Sequence, residues 1–245
     1  MIQKRFTDKV CLISGGSSGI GKATSLQLAN EGAKLLIMNR DEEEGEKIVA
    51  EINGNGGEAI FLKTDVGIAN DVKAAVEVAV GKWGRIDILI NNAAKMTFKS
   101  ITELTEEEWD EVMQVNLKSV FLFCKFCIPH MQNGVIINTS SVHAHQTTKG
   151  VAPYATSKGA IEAFTRAISL DYPIEKIRIN CVAPGAVDTQ MLWSNPNIKN
   201  GSEKLEGAIG TPADIAEIIC FLVSDAAKFI NGTTIVADGG KLAHL

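Results

Sequence analysis

No uninterrupted apolar run in the 245-residue sequence approaches the roughly 18–20 residues of a membrane-spanning helix. The N-terminal "MIQKRFTDKV" lacks the apolar core of a secretory signal. Basic residues are outnumbered, 24 Lys and Arg against 29 Asp and Glu, and no basic stripe occurs, which argues against a nucleic-acid partner. Cysteine is sparse and unpaired. Cys124-x-x-Cys127 has no second pair to complete a zinc site, and "VFLFCKFCIPHM" around it reads as a helix, so the five cysteines are expected to be packed thiols and no metal is expected. Linkers, low-complexity segments and short repeats are missing too. What is left is a chain expected to be soluble and cytoplasmic, away from membranes, and long enough for one full core.

Short apolar runs alternate with helix-length segments. The strand candidates are 10–14, 34–39, 59–64, 86–91, 134–139, 177–183 and 233–237. Runs of five or six apolar residues suit strands buried on both faces. Helical segments fall at 19–31, 42–53, 68–83, 105–131, 153–171 and 212–224, the last opened by Thr211-Pro212, a good cap and first-turn pair. This alternation predicts an α/β fold: a single doubly wound parallel sheet of about seven strands with helices on both faces, Rossmann-type, spanning 1–245. The acidic run 41–46 reads as a solvated helix start whose carboxylates complement the helix dipole.

"GGSSGIGKAT" (15–24) follows the first strand and admits two readings. Gly16, Gly21 and Lys22 fit a triphosphate-binding loop until Ala23 fills the place of the magnesium-binding hydroxyl. Gly15, Gly19 and Gly21 fit a dinucleotide turn, with a helix N-terminus facing an anion. Ligands of open α/β sheets sit beyond the carboxyl ends of the strands. Those ends carry Asn39-Arg40, Asp65-Val66, Asn91 to Ala94, Ser140-Ser141 and Pro184-Gly185. Asn116 falls in the apolar stripe of 105–131, where a buried amide needs partners or marks a kink. Tyr154 and Lys158 stand one helical turn apart.

Eight segments in order resemble the short-chain dehydrogenase/reductase family: "SGGSSGIG" (14–21), "DV" (65–66), "NNAA" (91–94), Asn116 in "VNLKSVF", "TSS" (139–141), "YATSK" (154–158), "NCVAPGAVDT" (180–189) and "NGTTIVADGG" (231–240). Ser14 and Ala94 depart from the usual Thr and Gly. The resemblance implies a catalytic tetrad of Asn116, Ser141, Tyr154 and Lys158. Tyr154 would exchange the alcohol proton, Lys158 would lower its pKa, Ser141 would donate to the reacting oxygen, and Asn116 would hold a water leading to Lys158. It also implies a dinucleotide held by Gly15, Ser17, Ser18, Ile20, Gly21, Asp65, Val66, Asn91, Ala93, Tyr154, Lys158, Pro184, Gly185, Val187 and Thr189.

Asn39 stands where an NAD-selecting carboxylate is usual, and Arg40 follows it as a partner for a 2′-phosphate, a pattern favouring NADP over NAD. The substrate would be a small secondary alcohol or ketone meeting Ser141, His143 and Tyr154. Lys95, His143, His145 and Gln146 hint at a hydroxylated or anionic molecule such as a sugar or polyol; Met96, Ala186 and the covering loop 190–205 complete the expected pocket. The alternatives are a 3-oxoacyl thioester reductase on the same scaffold and a non-catalytic NAD(P)-binding sensor. Family resemblance further implies a homotetramer or homodimer.

Overall fold

The computed structural model describes residues 4–202, 204–205 and 207–243; Met1–Gln3, Glu203, Glu206, His244 and Leu245 lie outside the described residues, so Glu203 of the 190–205 segment does as well. Seven strands form one sheet: β1 (Val10–Ser14), β2 (Lys34–Asn39), β3 (Glu58–Lys63), β4 (Ile86–Asn91), β5 (Met131–Thr139), β6 (Ile177–Pro184) and β7 (Thr234–Ala237). Their order is β3-β2-β1-β4-β5-β6-β7 and every pairing is parallel. Each expected strand is present. β5 starts earlier, at Met131, with Gln132 and Asn133 exposed ahead of its buried stretch.

The apolar runs are continuous because alternate side chains serve two cores. Cys11 and Ile13 of β1 pack on one face, with α1 (Gly19–Asn30), α2 (Glu42–Gly54) and α9 (Pro212–Val223). Val10 and Leu12 pack on the other, with α3 (Ala69–Trp83), α5 (Ser119–Cys127) and α6 (Ala152–Ile168). Helix ends follow the sequence chemistry. Asp41 caps α2 by accepting from the Glu44 amide at 3.1 Å. Thr211 and Asp214 cap α9 reciprocally. Lys22 lies on the helix surface and pairs with Glu51 of α2 at 3.5 Å.

The segment expected as one helix over 105–131 is broken. α4 (Glu106–Met113) opens with a Thr105–Glu108 capping box, a π-helical turn occupies Gln114–Lys118, and α5 follows. The wider turn inserts an extra residue in the spiral, a device common at functional sites. The run Glu106–His130 is the one helical stretch among the described residues long and apolar enough to cross a membrane. Here Val112, Val120, Leu122 and Phe123 on it are buried in the protein core. The 190–205 segment is not wholly loop: α7 (Gln190–Ser194) starts from a Thr189 cap, and α8 (Pro196–Lys199) from Asn195.

Arg178, buried on β6, closes the end of α9. Its Nη1 donates to Leu222 O at 2.9 Å, and its Nη2 to Val223 O at 3.3 Å and Ser224 O at 3.1 Å. The Leu222 and Val223 carbonyls belong to the last turn of α9 and carry the negative end of its dipole, so a guanidinium fork suits them; Ser224 O is shared with the Ala227 amide at 3.1 Å. Arg178→Met is expected to lower unfolding free energy by roughly 2–3 kcal/mol, the scale of losing charge-assisted bonds to buried carbonyls. Urea titration of both proteins measures the difference, and an unchanged midpoint would remove this role.

Candidate active site

β1 and β4 are neighbours, yet the chain leaves β1 toward β2 and β4 toward β5, so a crevice opens above their carboxyl ends. A cleft of about 520 Å³ lies there. Its first wall is the turn after β1. Gly15 and Gly19 hold φ of +65° and +50°, and a Cβ on Gly21 would lie 2.0 Å from Gly15 O. Only glycines let the chain turn this tightly and bring α1 N-terminal amides to the cleft. Gly15, Ser18 and Ile20 line it, together with Asp65 and Val66, Ala93, Pro184 and Gly185, Val187 and Thr189. These residues fit a bound dinucleotide: small groups around an anion, with backbone approaching closely.

Three expected cofactor residues do not line this wall. Gly21 lies beneath it, against Gly15. Ser17 Oγ accepts from Asn39 Nδ2, tying the turn to the end of β2. Asn91 is buried, and its Nδ2 donates to Asn138 Oδ1 at 2.8 Å, away from the cleft lining. Its neighbour Asn92 lines the cleft instead, donating from Nδ2 to Gly15 O at 3.2 Å. Strand alternation separates the two: adjacent side chains leave a strand on opposite faces. Ser14, in place of the usual Thr, accepts from the Asn92 and Ala93 amides at 3.0 and 3.1 Å, so its hydroxyl is the part in use.

At the end of β2, Asn39 Oδ1 accepts from the Arg40 amide at 2.7 Å. Both ends of the Asn39 amide are thus engaged by protein groups. The Arg40 side chain remains at the cleft mouth.

The second wall comes from β5, the 3₁₀ turn Val142–Ala144 and α6. Ser141, His143, Tyr154 and Lys158 line it. Tyr154 is 7% exposed and Lys158 2%. Lys158 Nζ donates to Thr139 O at 2.7 Å and sits 5.4 Å from the Tyr154 ring centroid. Burial pushes the Tyr154 phenol up to about 12, against a lowering hydrogen bond from Ser141. Lys158 is lowered to about 8, again by burial. The expected lowering of Tyr154 by Lys158 is therefore not what this geometry gives: desolvation dominates both groups. His143 meets Tyr154 edge to face at 5.6 Å, and its Nδ1 lies 2.9 Å from Thr147 Oγ1.

Asn116 lies behind this wall, in the π-helical turn. Its Oδ1 accepts from the Lys95 amide at 2.7 Å, and its Nδ2 donates to Lys95 O at 2.9 Å and Ser157 Oγ at 3.0 Å. Of the two structural roles open to it, it takes that of a backbone partner, from within the π-helical turn.

Beyond Tyr154 the cleft is lined largely by Met96, Phe98, Val142, Met191, Leu192 and Leu205, with Gln190, Ser194 and Asn195 as the polar members of the covering segment. Of the four polar residues that hinted at a hydroxylated substrate, His143 lines the cleft and the other three do not. Lys95 pairs with Glu111, His145 Nε2 meets Glu162 Oε1 at 3.1 Å, and Gln146 is outside the lining. The sugar or polyol hint thus loses most of its residues, because the turn after Ser141 directs His145 toward α6.

Residues 15–241 match the family described as Enoyl-(Acyl carrier protein) reductase. A cyclopentanol dehydrogenase from Comamonas sp. is 36% identical over 248 residues, covering 98% of this chain and 99% of the relative. The structure of a levodione reductase superposes with a TM-score of 0.92 at 32% identity, covering 98% of this chain and all of the other. That of a short chain dehydrogenase from Burkholderia cenocepacia, in complex with NADP, gives 0.89 at 30% identity over 96% of this chain and 98% of the other.

Proposed function

The chain belongs to the short-chain dehydrogenase/reductase family of NAD(P)-dependent oxidoreductases, and from that premise we propose that it interconverts a compact, largely apolar secondary alcohol and its ketone. One observation carries the reading: a buried tyrosine, with Ser141 and Lys158 beside it, sits where a glycine-built cradle meets an apolar chamber. When bound, NAD(P) supplies the hydride acceptor or donor. Tyr154 Oη takes the alcohol proton in oxidation and returns it in reduction. Ser141 Oγ donates to the substrate oxygen as its charge changes. Lys158 faces the cleft from beneath Tyr154 and would meet the nicotinamide ribose; Asn116 braces the loop at Lys95. The chain acts as one catalytic domain, 1–245, with 190–205 covering the substrate.

The apolar chamber favours an alicyclic substrate, in keeping with relatives named for cyclopentanol and levodione. Cyclopentanol and cyclohexanol are expected to give the highest kcat/KM in a panel with polyols and 3-oxoacyl thioesters. Polyols leading the panel would refute the apolar reading, and thioesters leading would favour the reductase acting on carrier-linked chains.

NADP is the favoured cofactor, since Asn39 is engaged by Ser17 and Arg40 stands at the mouth. Arg40→Ala is expected to lower the NADP-to-NAD ratio of kcat/KM about tenfold, or about 1.4 kcal/mol. An unchanged ratio would end the phosphate role of Arg40. A homotetramer or homodimer is supported by the apolar hollow of Met113, Leu117, Phe121 and Phe164 on the outer face of α4–α6.

A further inference from the structure

Glu162 is a buried carboxylate, 5% exposed, that belongs to none of the roles above. It lies on α6 one turn beyond Lys158, so Tyr154, Lys158 and Glu162 follow at i, i+4 and i+8 along one face. Two residues of the opposite turn reach the same oxygen. Ser140 Oγ lies 2.9 Å from Glu162 Oε1 and His145 Nε2 lies 3.1 Å from it. Ser140 Oγ is also 3.0 Å from Lys158 O, so its one proton is shared between the two acceptors of α6.

The spacing of these anchors gives them meaning. Ser140 precedes Ser141, and His145 follows the turn Val142–Ala144 that Ser141 opens. Inside, the turn closes on itself: Ala144 N donates to Ser141 O and His145 N to Val142 O, each at 2.9 Å, and His143 N to Ser141 Oγ at 3.2 Å. Ser140 N donates to Val182 O at 2.7 Å, which ties the turn to the sheet. Glu162 ties it to the helix that carries Tyr154. A buried carboxylate is costly without partners. This one is placed so that its partners bracket a single proposed catalytic hydroxyl.

We infer that Glu162 is a positioning residue whose carboxylate clamps both ends of the Ser140–His145 turn to α6 and so fixes Ser141 Oγ against Tyr154. This rests on the tetrad reading. Misplacing a reacting group by about 1 Å costs on the order of 100-fold in rate, without requiring any loss of binding.

The test uses Glu162→Met, which removes the acceptor, and Glu162→Gln, which keeps Oε1. Glu162→Met is expected to lower kcat roughly 10–100-fold. The cofactor dissociation constant should stay within about threefold, because the glycine turn of the cradle is not touched, and substrate KM should change less than kcat, since the turn carries just Val142 and His143 of the chamber lining. Glu162→Gln should recover kcat to within about threefold of the parent, since an amide oxygen accepts from both Ser140 and His145. A Gln variant as slow as the Met variant would overturn the clamp, because charge rather than two accepted bonds would then be the working property. So would a folded Met variant with parental kcat. Should Glu162→Met fail to fold, His145→Ala removes one half-exposed anchor; a several-fold fall in kcat that exceeds any change in KM supports the clamp, and an unchanged kcat overturns it. Tyr154→Phe is measured alongside: if it stays active, the tetrad reading has failed, whereas an inactive Tyr154→Phe beside fully active Glu162 variants isolates the failure to the clamp.

Discussion

Tyr154→Phe is expected to lower kcat by roughly 10²–10⁴-fold, the range lost with a general acid–base group, while cofactor affinity changes less than about threefold. The cleft places the phenol beside both Ser141 and Lys158. Phenylalanine keeps the ring, so the volume beneath the cleft and the edge contact with His143 survive. Burial holds the phenol at about 12, which keeps Tyr154 protonated near neutrality. That suits the reduction direction directly, where Tyr154 donates. In oxidation it must accept, and a cation brought close to the phenol oxygen would favour this; Lys158 Nζ, 5.4 Å from the ring centroid, is the group placed to supply it. Steady-state rates in both directions, with a fluorescence titration of cofactor, provide the check. Near-parental turnover would remove Tyr154 from the chemistry.

Gly21→Ala is expected to weaken cofactor binding at least roughly 100-fold, or about 2.7 kcal/mol, through overpacking alone. Its Cβ would meet Gly15 O at 2.0 Å and Asn92 Nδ2 at 2.6 Å. Gly15 O is backbone and accepts from that same Asn92 amide, so neither neighbour can yield without moving the turn that shapes the first wall. A matched control is at hand in Gly81 of α3, where an added Cβ meets nothing within 4 Å. Gly81→Ala should leave binding untouched and raise stability by up to about 1 kcal/mol, the helix-propensity gain. Equal affinities of the two variants would dismiss the steric account of the cradle.

The sheet was legible because two-sided burial writes itself as unbroken apolar runs: "VCLIS" and "IDILIN" have no other simple reading. The caps at Asp41 and Thr211 were legible because capping is local. What needed the structure depended on contacts between distant segments. The π-helical turn at Gln114–Lys118 leaves the stripe of Val112, Asn116 and Val120 buried, so nothing in the spacing marks the extra residue. Asn91 and Asn92 are equivalent in a motif and opposite in space. His145 looks like a pocket residue by its distance from Ser141, and only the fold of the turn sends it to Glu162. Glu162 and Arg178 look like ordinary surface charges in sequence; their burial is decided by elements 17 to 46 residues away.

The five thiols have a use beyond filling space. Cys11 lies in β1, Cys124 and Cys127 in α5, Cys181 in β6 and Cys220 in α9, all buried and unpaired. Burial pushes Cys124 and Cys181 each up to about 12, far from the reactive thiolate. A thiol reagent can therefore label each cysteine only during an opening of the element that carries it. The labelling rates, separated by peptide mapping, become a set of internal clocks that report how often the centre of the sheet and the helical layers on each side come apart.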